Sequence, residues 1–289
     1  MTDRLAFRTL VGVASLLFFC LGCLLILPLE MMWLTTSLWV MCCALLISQA
    51  ALPMPAESWP LLITATLALL LFSLMLGRGL WTAWKLWRAT QRLIQATQTA
   101  RLSQPPVVAR LATRLNLAGS LVVVAGRVPF SFCYGFWRPR ICLSLGLVEL
   151  LTEAELEAVL RHEAYHLHRR EPLRMAMAIC LSHFFFFVPL LAELRDHYLA
   201  EKELAADAAA VAVTGRASLA RALHKLVTVD KQFMLPSLVG VAGLSVTARR
   251  VDRLINPMAR SSWIPSRRSI LVTLAVFVSG CLLMIAGLV

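Results

Sequence analysis

The 289-residue chain is 59% hydrophobic and only 15% charged, with a formal net charge of +12. A soluble domain of this size carries roughly a quarter charged residues, so the composition excludes an ordinary water-soluble fold and points to segments that meet a bilayer. The positive balance reads as a topology signal and headgroup attraction. No base-reading module accompanies it, so direct nucleic-acid binding is not expected.

In chain order, the apolar excess gathers into four blocks that predict transmembrane helices at 9–29, 31–52, 61–84 and 269–289. Each is near the ~20 residues that a spanning helix needs. Pro28 and Glu30 mark the turn between the first two, and Pro53, Pro55 and Pro60 form a hinge into the third. The first block is longer than the ~7–15 apolar residues of a signal peptide, and no small-x-small site follows it, so a retained helix is expected. Trp81, Trp84 and Trp87, with Lys85 and Arg88, read as an interfacial belt. Arg78, Lys85, Arg88, Arg92, Arg101, Arg110 and Arg114 follow one another with no acid among them, outweighing Arg4 and Arg8 near the start. The positive-inside rule then sets residues 89–268 in the cytoplasm, the N-terminus outside, and Arg267 and Arg268 on the inner flank of the last helix. The eight cysteines form no metal-binding set and read as small apolar packing residues.

Residues 1–88 are thus expected to hold three membrane helices, 89–268 a membrane-associated catalytic domain, and 269–289 a final helix. Within the central region, 120–125 and 140–145 are β-like runs. A turn-rich aromatic stretch around Val128-Pro129-Phe130 and Gly135-Phe136-Trp137 joins them.

A well-marked helix follows. Thr152 and Glu155 form a capping box, Leu156, Val159, Leu160 and Leu167 make a buried stripe, and Pro172 is expected to end it. His162 and His166 lie one turn apart on this helix, so both imidazoles can reach one zinc ion. Glu163 is adjacent and suits a general base acting on water that the metal acidifies. His168 faces elsewhere. A catalytic zinc keeps three protein ligands and an open position, and the third candidate is Glu203. Asp207, one turn on, can stand behind a ligand imidazole and hydrogen-bond it, while Glu201 points about 200° away from Glu203.

Residues 175–192 carry no charge and would score as another span. A span would put His162 and Glu203 on opposite sides of the membrane, where one zinc could not bind both. The stretch 173–195 must therefore turn back as a re-entrant hairpin, with the reversal near His183-Phe184-Phe185-Phe186-Phe187-Val188-Pro189. His183 and His197 are read as packing or interfacial residues.

Pro129-Phe130-Ser131-Phe132, Gly135 to Ile141, Leu151 to Glu163, Phe187-Val188-Pro189 and Glu203 to Asp207 together resemble the BlaR/MecR-type membrane zinc metallopeptidases, a gluzincin family. The resemblance covers most of the chain, up to Asp252-Arg253-Leu254. It implies a mainly α membrane protein with a cytoplasmic α+β zinc peptidase domain and a small β-sheet. It also implies zinc on His162, His166 and Glu203, Glu163 as base, and a substrate-holding edge strand at Arg140, Ile141, Cys142 and Leu143. Antibiotic-sensing members carry a penicillin-binding domain after the last helix; this sequence stops at Val289, so direct β-lactam sensing is not expected. The HtpX and CAAX-prenyl endopeptidases share the same ligand pattern.

The expected activity is proteolysis at the cytoplasmic face of a bacterial inner membrane. The expected partners are the lipid bilayer, a protein substrate such as a transcriptional repressor, and a separate sensor protein. A quality-control protease is the alternative enzyme, and a signalling scaffold with a vestigial site is the non-enzyme alternative.

Overall fold

The two β-like runs are strands: Leu121–Val124 and Arg140–Ser144 pair in parallel at the centre of a four-stranded sheet. Ser131–Tyr134, inside the stretch read as turns, is a third strand, antiparallel to Arg140–Ser144. It is only four residues long and enclosed by Pro129 and Gly135, so the turn signals hid it. Gly135 has φ +92°, and a Cβ there would stand 2.9 Å from the Arg138 carbonyl oxygen, which makes glycine necessary at this reversal.

The computed structural model describes residues 2–26, 59–233 and 263–286. The elements are α1 (Thr2–Ile26), α2 (Trp59–Thr99), β1 (Arg101–Leu102), α3 (Pro106–Arg114), β2 (Leu121–Val124), β3 (Ser131–Tyr134) and β4 (Arg140–Ser144). They continue as α4 (Leu145–Leu150), α5 (Glu153–His168), α6 (Glu171–Phe184), α7 (Pro189–Thr214), α8 (Arg216–Phe233) and α9 (Arg267–Ala286). The sheet order is β1-β2-β4-β3.

Two compact units divide the chain. The first comprises Met1–Phe7, Trp81–Cys180 and Arg195–Ile264, and contains the sheet. Successive residues of β2 serve opposite faces: Leu121 and Val123 join a core with Ile141, Leu143, Leu156, Val159 and Leu160, while Val122 and Val124 pack with Phe132, Tyr134 and Leu93 of α2. Burial on both faces explains the unbroken Leu-Val-Val-Val run, since alternation is only needed where one face is wet. Each fully buried leucine contributes about 1.5–3 kcal/mol, and this core aligns α5 against the sheet.

The second unit comprises Arg8–Leu80, Leu181–Leu194 and Pro265–Val289. Within it, Glu193 accepts hydrogen bonds from the Ser266 backbone N–H at 2.9 Å and from the Ser266 and Ser269 hydroxyls at 2.6 Å each. A carboxylate over the first turn of α9 offsets that helix's orphan N–H groups and dipole. Arg78 lies over the Phe186 ring, 4.8 Å from its centroid.

Among the described residues no helix is long and apolar enough to cross a membrane. Helices α1, α2 and α9 run through three of the four apolar blocks, and the block at 31–52 lies outside the described residues, as do residues 252–254 at the end of the family resemblance.

The stretch 173–195 is not one continuous helix. Helices α6 and α7 are joined at residues 185–188, where the Val188 N–H bonds the Phe185 carbonyl at 2.9 Å. Pro189 opens α7, a position where its missing N–H is harmless. In the first unit, Tyr198 of α7 donates a hydrogen bond to Glu171 at the start of α6.

The start of α1 is tied to α5 by a buried ion pair. Asp3 is buried, its Oδ2 3.0 Å from Arg169 Nη2 and accepting from the Tyr165 hydroxyl at 3.0 Å.

Asp3→Ala removes the carboxylate nearest a mostly buried guanidinium and lowers stability by up to about 3–5 kcal/mol, read by denaturant or thermal unfolding in detergent micelles.

Candidate metal and catalytic site

Helix α5 starts where the capping box requires. The Thr152 hydroxyl accepts the Glu155 N–H at 3.4 Å, and the Glu155 carboxylate accepts the Thr152 N–H at 2.9 Å. Lys225 of α8 bonds the same carboxylate at 2.7 Å, tying the helix start to its neighbour. The helix ends sooner than expected. Arg169 closes it, and Arg170 takes a φ of +50°, so the chain has already turned before Pro172, which sits in the first turn of α6.

One face of α5 buries Leu156, Val159 and Leu160, and another buries His162, Glu163 and His166. Helix α7 brings Glu203 and Asp207, both buried, to the same place. His162 Nε2 lies 3.2 Å from His166 Nε2 and 3.4 Å from Glu203 Oε2, and His166 Nε2 lies 3.8 Å from Glu203 Oε1. One ligand atom from each of these three residues falls within 4.8 Å of the others, a set that could hold a metal ion.

The donor chemistry fits a cation. Asp207 Oδ1 stands 2.9 Å from His162 Nδ1 and keeps the proton there, so His162 presents a bare Nε2 lone pair to the cluster. That lone pair and a carboxylate oxygen repel at such separations unless a positive ion lies between them. Tetrahedral zinc with bonds of about 2.0–2.1 Å sets its ligand atoms roughly 3.3 Å apart, close to the spacing found.

Charge in the pocket is controlled by burial and by one lysine. Glu203 is buried, which opposes ionisation, but the Lys202 ammonium and the two imidazoles hold its carboxyl well below the usual range. Lys202 Nζ is 3.1 Å from Glu203 Oε1. Burial pushes Glu163 up to about 7, tempered by His162 and by the Ser131 hydroxyl, which donates to Glu163 Oε1 at 2.8 Å. Glu163 Oε2 is buried with no hydrogen-bond partner. A carboxylate poised near neutrality with one oxygen anchored and the other unengaged can take and return a proton.

His168 is exposed, its Nδ1 2.6 Å from the Ala164 carbonyl, and stands apart from the cluster. His197 stacks on Trp263, with centroids 4.4 Å apart, in line with a packing role. Glu201 is buried but does not join the ligand set.

The edge strand assigned to Arg140, Ile141, Cys142 and Leu143 is corrected. These residues form β4, whose two edges are both filled, by β2 and by β3. Among the described residues, the free edge beside the site belongs to β3. Phe130 accepts the Ser144 N–H at 3.0 Å, so by antiparallel alternation the main-chain groups of Ser131 and Cys133 point outward. The sequence reading missed Ser131 and Lys202. Ser131 lay in the overlooked strand, and no local pattern marks Lys202, whose only signal is its place beside Glu203.

A metal-ligating pattern on a helix packed against a small sheet, completed by a glutamate from a second helix, is the arrangement of a peptidase. Residues 46–254 match the family model described as BlaR1 peptidase M56, and the chain belongs to that family. No curated protein matches the sequence. The crystal structure of S. mikatae Ste24p is a looser relative in shape, at 18% identity and a TM-score of 0.34, covering 60% of this chain; the chain spans 59% of that protein.

Asp207→Ala removes the group that orients His162, and metal affinity falls about 10–100-fold in a chelator competition.

Proposed function

We propose that this peptidase is a zinc metalloendopeptidase anchored in a bacterial cytoplasmic membrane, cleaving a protein at the cytoplasmic face as a step in regulatory signalling. Removal of a transcriptional repressor on a cue from a separate sensor protein is the form of signalling proposed. The observation that carries the enzymatic reading is the convergence of His162, His166 and Glu203 ligand atoms within 4.8 Å, with Glu163 beside them.

His162, His166 and Glu203 would hold the zinc, which when bound polarises a scissile carbonyl and acidifies water. Glu163 accepts the proton of the attacking water and later delivers it to the departing amine. Ser131 fixes Glu163 Oε1, leaving Oε2 for that transfer. An extended substrate adds to the free edge of β3 through the main chain of Ser131 and Cys133, which needs little of its side-chain identity.

Membrane attachment is supported by the apolar blocks that α1, α2 and α9 run through, and by an exposed aromatic belt on α2. Trp81 and Trp84 stack at 4.8 Å, with Lys85 over the first ring and Arg88 over the second. Rings at headgroup depth with cations toward water suit the lipid bilayer as a standing partner. The 173–195 hairpin, with its Phe184 to Phe187 tip, is proposed to dip into that bilayer from the cytoplasmic side.

Purified protein is expected to hold one zinc per chain by elemental analysis, and His162→Ala to lose it. Glu163→Gln keeps the zinc and loses turnover by about 10²–10⁴-fold. Comparing cut sites in cells carrying Glu163→Gln with wild type, one or a few missing cleavages bear out a regulatory substrate. A broad loss points to quality control, and a chain that holds no zinc refutes the enzymatic mechanism.

A further inference from the structure

Lys202 is an unusual residue for its surroundings. It is 3% exposed, whereas lysine is among the residue types least often buried. So deep an ammonium cannot serve as a topology signal or meet lipid headgroups. Its contact with Glu203 Oε1 at 3.1 Å uses one of its three donors. Nor does a positive charge next to a cation-binding set help to hold the cation, since like charges repel.

The cavity it lines suggests a use. Cys133, His166, Glu171, Pro172, Met175 and Lys202 enclose about 10 Å³, room for roughly one oxygen-sized group. One wall is a metal-ligand candidate, His166, and another is β3, through Cys133. Cys133 and Ser131 are two apart on β3 and so face the same side of the sheet, and Ser131 bonds Glu163. A substrate strand laid along this edge therefore runs from the base toward the ammonium.

We propose that Lys202 is a catalytic residue whose ammonium donates a hydrogen bond to the scissile carbonyl oxygen as negative charge builds there. This rests on the zinc-peptidase reading above. As the water oxygen bonds to the carbonyl carbon, the C=O π pair moves onto the carbonyl oxygen and the water proton passes to Glu163. The pair then returns, the C–N bond breaks, and Glu163 hands its proton to the amine nitrogen. Lys202 transfers no proton in this step; its hydrogen bond strengthens when the oxygen is charged, which accelerates the step.

The test uses the full chain in detergent micelles, loaded with Co²⁺ and titrated with acetohydroxamate, whose oxygens imitate the oxyanion, while the visible cobalt spectrum is recorded. Lys202→Met should keep the wild-type cobalt affinity and spectrum but bind acetohydroxamate more weakly by a factor on the order of ten or more. Lys202→Gln, which retains an uncharged donor, should fall between. The proposal is overturned if acetohydroxamate binds both variants as it binds wild type. It is equally overturned if both lose cobalt, since Lys202 would then only brace Glu203, or if the wild-type cobalt spectrum does not respond to the probe. Failure of wild type to take up cobalt defeats the metal reading itself, and this inference with it.

Discussion

A single ion-sized space must be reached from two helices at once, and most of the first unit is arranged around that constraint. His162 and His166 come from α5, Glu203 and Asp207 from α7, and α6 with the first part of α7 lies between them in sequence. The contact between His162 and Asp207, at 2.9 Å, joins the two helices and decides which nitrogen of the ring carries its lone pair inward. The return of the chain at 185–188 is a consequence of that contact as much as of Pro189.

Around the ligand set the structure buries charge and then compensates it locally. Arg169 at the end of α5 meets Asp3 and lies 3.6 Å from Glu171, which also accepts from Tyr198 of α7. Buried ion pairs add little net stability compared with apolar packing, but breaking one is expensive, so they specify one arrangement more than they stabilise it. Here that arrangement holds the first residues of α1 and the start of α6 against the C-terminal end of α5. The site is held from below by an apolar core and from the side by paired charges.

The sheet divides its labour by residue parity. Odd positions of β2 and β4 fill the core under α5, while Val122, Val124 and Cys142 pack on the opposite face with α2. On β3 the same alternation gives Phe132 and Tyr134 to packing and leaves Ser131 and Cys133 facing the site. A one-residue slip in register would exchange these sets.

Local patterns made much of this legible in the sequence. The capping box, the three-residue gap between His162 and His166, and the one-turn step from Glu203 to Asp207 are all governed by helical period, which acts over a few residues. The break between α6 and α7 was legible as well, because Pro189 disfavours helix at the residue before it. Strand order was not legible: β4 pairs with both β2 and β3, a non-local choice made by core packing, and it moved the open edge from Arg140–Leu143 to Ser131–Tyr134. The pairing of Asp3 with Arg169 and the burial of Lys202 were likewise decided in three dimensions, since a charge in a sequence does not state its partner or its solvent. The sequence by itself determined which residues could bind a metal and move a proton; the tertiary structure decided which charges surround them, because burial and pairing arise only when distant segments meet.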